Sequence, residues 1–212
     1  MADTSRPQAD RDRDVNRKPA EVIAFAGIKA GDSVGEMMPG GGYFTRIFSK
    51  VVGPNGVVYA MSPPAQGARD PSAAVKAIAA SPGYGNIRAV AMQGETFGPV
   101  DVMWTSLNYH DFRNGGADAI AAINKNAHDR LKPGGIYIVI DHSAQTGSGG
   151  RDTSTLHRID PELVKQEVTA AGFELVGESD LLRHPEDKKD ERVHEADIRG
   201  KTDQFLLKFR RK

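Results

Sequence analysis

Short apolar runs along the chain alternate with longer segments in which apolar residues recur every three or four positions. The short runs are typical of β-strands, and the longer spacing is typical of amphipathic α-helices. The pattern predicts seven strands, at residues 33–37, 57–61, 87–91, 100–105, 136–140, 173–178 and 204–210. It also predicts five helices, at residues 19–25, 43–52, 71–80, 117–131 and 161–171.

The order of these elements predicts an α/β fold, a doubly wound sheet with helices on both faces. The run at 100–105 is mostly apolar, which suits a central parallel strand. Residues 183–200 are highly charged and lack periodicity, so we expect an insertion or a mobile loop there. The strands on either side of that loop would form a hairpin, which makes the last strand antiparallel.

Composition narrows the class of protein. The chain has 212 residues, 39% of them hydrophobic, and a formal net charge of zero. These values fit a soluble globular domain and do not indicate binding to nucleic acid or to an anionic membrane. Cysteine is absent, which excludes disulfides, cysteine metal sites and cysteine nucleophiles. No apolar stretch approaches the ~18 residues of a transmembrane helix.

The first part of the chain differs in character from the rest. Residues 1–18 are polar and charged, which predicts a frayed terminus before a single domain over 19–212. This segment contains no apolar signal core. We therefore expect a cytoplasmic protein, unless a targeting segment has been trimmed.

The run from Gly31 to Thr45 carries the clearest chemical signal. A short strand holds an acid at Glu36, and Pro39 and three glycines then lead into a helix. Glycines let a ligand approach the backbone, and a helix start offers free N–H groups. In a dinucleotide site the acid follows the glycines by about 20 residues. Here it precedes Gly40, an order that suits a ligand with a cationic amino group, such as the methionine end of S-adenosylmethionine.

This run resembles the first motif of class I S-adenosylmethionine-dependent methyltransferases, which reads hydrophobic-acid-hydrophobic-Gly-x-Gly-x-Gly. Glu36, Gly40 and Gly42 match it, and Met38 stands in place of the first glycine. The segments 17–21, 108–111, 131–135 and 156–160 are similar to motifs of a group of bacterial predicted methyltransferases. The resemblance implies a Rossmann-like fold, S-adenosylmethionine as cofactor, and methyl transfer to a nucleophilic O, S or N atom of a small molecule.

The resemblance also implies a cofactor site at the carboxyl ends of the strands. Its expected residues are Glu36, Met38, Gly40, Gly42, Tyr43, Thr45, Met61, Ser62, Gln93, Gly94, Glu95 and Asn108. The family usually places an acid after the second strand to bind the ribose hydroxyls, and this chain has Ser62 there. By analogy with the fold, the N-terminal segment would lie over the cofactor, with Asp14, Arg17 or Lys18 near its carboxylate.

Three histidines fall at the same predicted edge of the sheet. The candidate catalytic residues are Tyr109, His110, Asp111 and His142, and Asp141 and His157 are candidates for binding the substrate. A neutral histidine accepts a proton from a nucleophile near neutral pH. Neighbours on an extended segment point apart, so His110 and Asp111 cannot be assumed to pair. The three histidines with Asp111 or Asp141 could hold zinc or iron, but no histidine spacing is typical of a metal site, and we predict none.

Two alternative functions remain at this point. The missing ribose acid and Met38 motivate a non-catalytic protein that binds S-adenosylmethionine. A nicotinamide-dependent oxidoreductase is disfavoured, because Thr45 stands where its glycine motif needs the last glycine. The absence of Asn/Asp-Pro-Pro-Tyr after the fourth strand disfavours methylation of planar amines.

Overall fold

The computed structural model describes residues 6–95 and 97–212, and it shows one sheet with helices on both faces. The strands are β1 (Ser33–Met37), β2 (Val57–Ser62), β3 (Ile87–Ala91), β4 (Val100–Ser106), β5 (Leu131–His142), β6 (Phe173–Ser179) and β7 (Gln204–Arg211). The helices are α1 (Gln8–Arg11), α2 (Asp14–Arg17), α3 (Pro19–Ala26), α4 (Tyr43–Val52), α5 (Ala73–Ala79), α6 (Tyr109–Arg113), α7 (Ala117–Arg130) and α8 (Pro161–Ala170). A 3₁₀ turn follows β6 at Asp180–Leu182.

The strand order in the sheet is β3-β2-β1-β4-β5-β7-β6. Strands β1 to β5 pair in parallel, and β7 runs antiparallel to both β5 and β6. The predicted seven-stranded Rossmann-like sheet with an antiparallel last strand is therefore confirmed. The direction of winding reverses between β1 and β4, and ligands of such sheets bind in the crevice at the carboxyl ends of these strands.

Each face of the sheet has its own apolar core. Helices α3, α4 and α5 cover one face, where Trp104 packs at 4.9 Å, between ring centroids, from both Phe44 and Phe48. Helices α6, α7 and α8 cover the other face, around Tyr137 and Phe173. The two buried layers hold the carboxyl ends of β1 and β4 rigidly side by side.

Several local predictions differ from the structure. Residues 109–113 form a helix rather than an extended segment, and the predicted helix at 71–80 shortens to α5. Helix α7 ends at Arg130, and residues 132–135 belong to β5 instead of a loop, with a register shift opposite Val100 and Val102. The backbone of Gly134 has a φ of 76°, which lets this irregular stretch stay in the strand.

The charged segment at 183–200 is held to the domain by ion pairs. Asp187 accepts two hydrogen bonds from the guanidinium of Arg158, at 2.7 and 3.1 Å. Asp203 accepts from Arg183 at 2.8 Å and lies 2.9 Å from Lys189. Buried carboxylates with cationic partners on both sides fix the path of this loop across the sheet edge. Among the helices of the described residues, none has the length and apolar character needed to cross a bilayer.

Candidate functional site

The loop after β1 has an unusual backbone. Gly40 and Gly42 have φ values of 55° and 78°, and a Cβ at Gly42 would lie 2.3 Å from Cδ1 of Ile78. Met38 also has a positive φ, 50°, although this conformation is uncommon for residues other than glycine. Met38, which replaces the first glycine of the motif, therefore keeps the left-handed backbone conformation that a glycine would adopt easily.

Glu36 lies buried at the end of β1, directly behind this loop. The hydroxyl of Thr45 donates a hydrogen bond of 2.5 Å to its Oε2. Burial raises the pKa of Glu36 to about 7, and the Thr45 hydroxyl and the charge of Arg17 oppose the rise. The carboxyl group thus sits close to its midpoint of ionisation at neutral pH, and a nearby cation would favour its charged form.

Residues 6–18 pack over the loop through Tyr43, rather than fraying. The guanidinium carbons of Arg6, Arg13 and Arg17 lie 5.2, 4.9 and 4.6 Å from the centre of the Tyr43 ring. The Tyr43 hydroxyl donates to Asp14 at 2.6 Å, and Arg6 donates two bonds of 2.8 Å to the same carboxylate. Cation–π contacts and charge-assisted hydrogen bonds together anchor the segment. Tyr43 is one of the residues expected to contact the cofactor, and it also holds residues 6–18 over the loop.

Two cavities border this loop, and a third adjoins the first of them. The first has a volume of about 290 Å³ and is lined in part by Arg17, Glu36, Met38, Gly40, Tyr43 and Asn108. The second, about 330 Å³, shares Met38, Gly40 and Asn108 with the first and adds Ser62, Gln66 and Arg69. The third, about 230 Å³, is lined in part by Arg13, Arg17, His142, His194, Arg199 and Gln204. Leu107, Arg13 and Arg17 line both the first and the third.

Six of the twelve expected cofactor residues line the first two cavities, and the other six, among them Gly42 and Thr45, do not. Met61 is fully buried in the sheet, and Gln93, Gly94 and Glu95 lie exposed outside both. The Glu95 carboxylate instead accepts a hydrogen bond of 2.7 Å from the backbone N–H of Ala91. Thr45 is buried behind Glu36 and reaches no cavity, so it can influence a bound ligand only through its hydrogen bond to the Glu36 carboxylate.

The second cavity contains polar groups where the ribose acid is missing. The hydroxyl of Ser62 is buried without a hydrogen-bond partner among the described residues, and Gln66 and Arg69 line the same cavity. A buried hydroxyl without a partner is unusual in a folded protein. Sequence reasoning missed Gln66 and Arg69, because they lie in an irregular loop that gives no periodic signal.

Asp141 organises the histidines at the end of β5. Its buried carboxylate accepts hydrogen bonds of 2.8 Å from the backbone N–H groups of His110 and His142. It also lies 2.8 Å from Nδ1 of His110. Burial by itself would lower the pKa of His110, but the Asp141 carboxylate outweighs it, and the pKa lies above its ordinary value. On the other side, His110 Nε2 lies 3.3 Å from His157 Nδ1.

His110 and Asp111 approach each other, a pairing that the sequence left open. His110 Nε2 lies 3.4 Å from Oδ1 of Asp111. The two residues are on helix α6, where successive side chains are not on opposite sides as they are in a strand. The sequence alone did not allow this pair to be assumed, because the segment was taken to be extended, and helix α6 brings the two side chains together.

His142 and Tyr109 lie on opposite sides of the sheet. The Nδ1 of His142 lies 2.8 Å from the Thr202 hydroxyl, and its side chain lines the third cavity. Burial lowers the pKa of His142 to about 4, although Asp141 opposes the shift, so the ring is neutral at pH 7. Tyr109 instead points into the core of α7 and α8, where Asn124 donates to its hydroxyl at 2.8 Å. The structure does not place Tyr109 at the cavities.

Comparison with known proteins extends these findings at the level of the fold. No protein-family model and no curated protein matches the chain. A SAM-dependent methyltransferase from Aquifex aeolicus superposes with a TM-score of 0.64 at 17% identity, over 91% of this chain and 88% of that chain. The chain has the class I methyltransferase fold.

Other structures share this methyltransferase fold. The glycopeptide N-methyltransferase MtfA, complexed with S-adenosyl-L-methionine, matches with a TM-score of 0.63 at 14% identity over 92% of this chain and 87% of that chain. The [4+2]-cyclase SpnF matches with a TM-score of 0.66 at 15% identity, over 92% of this chain and 80% of that chain. Because a cyclase shares the fold, the reaction has to be argued from the cavities.

Proposed function

We propose that this protein is a class I methyltransferase that moves the methyl group of S-adenosylmethionine to a nucleophilic O, N or S atom of a small molecule. One observation carries the proposal. The cavity at Glu36 and the glycine loop meets a separate polar cavity along Arg13, Arg17 and Leu107. In-line methyl transfer needs two reactants held on either side of a shared boundary, with water kept out.

The residues at the first two cavities fit the cofactor. Glu36 suits its ammonium group, the guanidinium of Arg17 suits its carboxylate, and Ser62, Gln66 and Arg69 supply polar groups for the ribose hydroxyls. When bound, the cofactor supplies a methyl group on a sulfonium centre. The buried Ser62 hydroxyl without a partner is an independent sign that a polar ligand belongs at this position.

The third cavity suits an anionic acceptor. It presents the side chains of Arg13, Arg17 and Arg199, and no carboxylate lines it among the residues that the structure describes. A small acid or a phenolate would find complementary charge there. His142 lines this cavity and is neutral at pH 7, and its Nδ1 is engaged by Thr202. In the proposed reaction the acceptor enters this cavity already ionised, so no proton has to be removed, and Nε2 of the neutral His142 ring is free to orient it toward the methyl group.

The alternative is a non-catalytic protein that binds S-adenosylmethionine. The positive φ of Met38 and the absence of an acid after β2 favour it, since both depart from the family motif. Both candidates predict cofactor binding, and only the methyltransferase predicts S-adenosylhomocysteine as a product.

Binding is tested first, by isothermal titration with S-adenosylmethionine and S-adenosylhomocysteine, with NAD as a negative ligand. Gly40→Asp places a carboxylate in open space at the first cavity and should weaken binding roughly tenfold or more. Gly31→Asp is the matched control, because Gly31 also has a positive φ and open space around its Cβ but lies outside the cavities. Equal losses in both variants, or no binding by the unaltered protein, would remove the proposal.

Turnover is tested next, by mass spectrometric detection of S-adenosylhomocysteine over small thiols, phenols and carboxylic acids. Acids and phenols should react, and His142→Gln should lower kcat with little change in cofactor affinity. Tight cofactor binding without turnover of any acceptor would leave the non-catalytic alternative.

A further inference from the structure

Three ligand-type atoms meet at one point outside the three cavities described above. They are Nε2 of His110, Nδ1 of His157 and Oδ1 of Asp111, on α6 and on the segment that precedes α8. Their separations are 3.3 Å between the two nitrogens, 3.4 Å from His110 to Asp111 and 3.7 Å from His157 to Asp111. We propose that these three side chains form a zinc-type divalent metal site.

The separations favour a tetrahedral ion over an octahedral one. Zinc bonds of about 2.0–2.1 Å in a tetrahedron hold the donor atoms about 3.3–3.4 Å apart, whereas the 90° angles of an octahedral facial set give about 2.9–3.0 Å. The observed triangle is the wider one, and the circle through its corners has a radius of about 2.0 Å. An ion slightly out of that plane lies about 2.1 Å from all three atoms.

The surroundings of His110 support the same assignment. The Asp141 carboxylate accepts the proton on Nδ1 of His110 at 2.8 Å, so the lone pair of Nε2 points to the triangle. A carboxylate behind a histidine in this way is the usual support of a metal-binding imidazole, because it fixes the ring and its tautomer. Asp141 is itself completely buried and held by two backbone N–H groups.

His157 contributes a second, independent observation. Its φ is 56°, a strained backbone for a histidine, and such strain persists where the surrounding structure requires it. That backbone turns the ring toward His110, with an angle of 89° between the two rings. Nitrogen and carboxylate donors in this mixture suit zinc rather than magnesium or calcium, which prefer oxygen ligands.

Two groups face the proposed ion from the charged loop. Arg192 lies 3.0 Å from Nε2 of His157 and can only donate, so His157 carries its proton on Nδ1 in this state. Metal binding therefore moves that proton to Nε2 and displaces the Arg192 side chain, which is exposed. The ring of His194 lies 4.9 Å from the His157 ring, between centroids, and is tilted by 58° from it. The side chain of Asp111 is 40% exposed, which leaves a fourth position open to water.

The test uses protein without a histidine tag, freed of metal by dialysis against a chelator. Titration with Co(II) should give one equivalent per chain with the intense visible absorption of a tetrahedral site, and Zn(II) should displace it. Asp111→Asn and His157→Gln should each weaken Zn(II) binding by about 100-fold or more, and Asp141→Asn by about 10–100-fold. His184→Gln, which removes a histidine beside the carboxylate of Glu186, is the matched control.

Arg192→Ala offers a variant that should gain affinity, since it removes a cation that competes with the ion. The exposed position of Asp111 keeps Asp111→Asn informative even if a buried variant fails to fold. Weak octahedral Co(II) spectra, or Zn(II) affinities that stay the same in Asp111→Asn and His157→Gln, would overturn the proposal. Metal titration is independent of S-adenosylmethionine binding, so the two proposals fail separately.

Discussion

Glu36 makes cofactor affinity depend on pH in the proposed function. Its pKa of about 7 means that at pH 6 about nine-tenths of the carboxyl groups are protonated, and at pH 8 about one-tenth. A cationic ligand favours the charged carboxylate, so binding at pH 6 must remove a proton first. The apparent affinity at pH 6 should therefore lie about tenfold below its plateau, or about 1.4 kcal/mol.

Isothermal titration in two buffers of different ionisation enthalpy measures the protons released on binding. We expect close to one proton per S-adenosylmethionine at pH 6 and about a tenth at pH 8. The protons that Glu36→Gln releases on binding come from groups other than Glu36, such as the amino group of the ligand. The number released by the unaltered protein, minus this number, is the contribution of Glu36. Thr45→Val removes the hydrogen bond that lowers the pKa of Glu36 and should move the midpoint to higher pH.

A single result would refute this reasoning. If the unaltered protein and Glu36→Gln release the same number of protons at pH 6, Glu36 does not ionise on binding. The buried carboxyl would then be a structural partner of Thr45 alone.

Three further predictions concern stability. The pKa of Glu36 is raised in the folded protein, so its contribution to stability is fully present below pH 4.5 and is lost as the pH rises through 7. Glu36→Gln removes this loss and should raise the free energy of unfolding by about 1–3 kcal/mol at pH 8, with no such gain at pH 4. Urea titrations at the two pH values measure the difference. Gly42→Ala should cost at least about 1–2 kcal/mol, because of its positive φ and because its Cβ would lie 2.3 Å from Cδ1 of Ile78. Gly41→Ala, with open space at its Cβ, should cost under about 0.5 kcal/mol, and equal thermal melting points for the two variants would contradict this prediction. Tyr109→Phe should cost about 1–3 kcal/mol of stability, because it leaves the buried side-chain amide of Asn124 without its acceptor. The affinity for S-adenosylmethionine should not change. A large loss of affinity would instead place Tyr109 at the cofactor site.

Much of the sheet could be predicted from the sequence, because its signals are local. Each predicted strand overlaps an observed one, since apolar runs between glycine and proline turns have few other ways to bury their side chains. The exception is the start of β5, where residues 132–135 look like a turn and pair with β4 across a register shift. Pairing partners are a tertiary property, and no local pattern reports them.

The candidate site was predicted less completely, because its parts come from distant segments. Arg13, His194 and Arg199 reach one cavity from the two most charged stretches of the chain, which look like solvent-exposed segments in the sequence. The triangle at His110 depends on helix α6, which is only five residues long and has no periodic signal. Local reasoning finds the glycine loop because one continuous segment builds it.

The position of β7 has a consequence for how the protein opens locally. This strand lies between β5 and β6, and it pairs Phe209 with Tyr137 across about 70 residues of sequence. The pairing of Val34 in β1 with Val102 in β4 closes a loop of nearly the same length, so loop length does not decide which pairing forms first. What sets β7 apart is that, among the described residues, β6 joins the sheet only through it. Strands β6 and β7 can therefore detach from β5 together while β1 to β5 stay paired with one another. Gln204 at the start of β7 lines the third cavity, so such an opened state would keep the glycine loop and lose part of the proposed acceptor cavity.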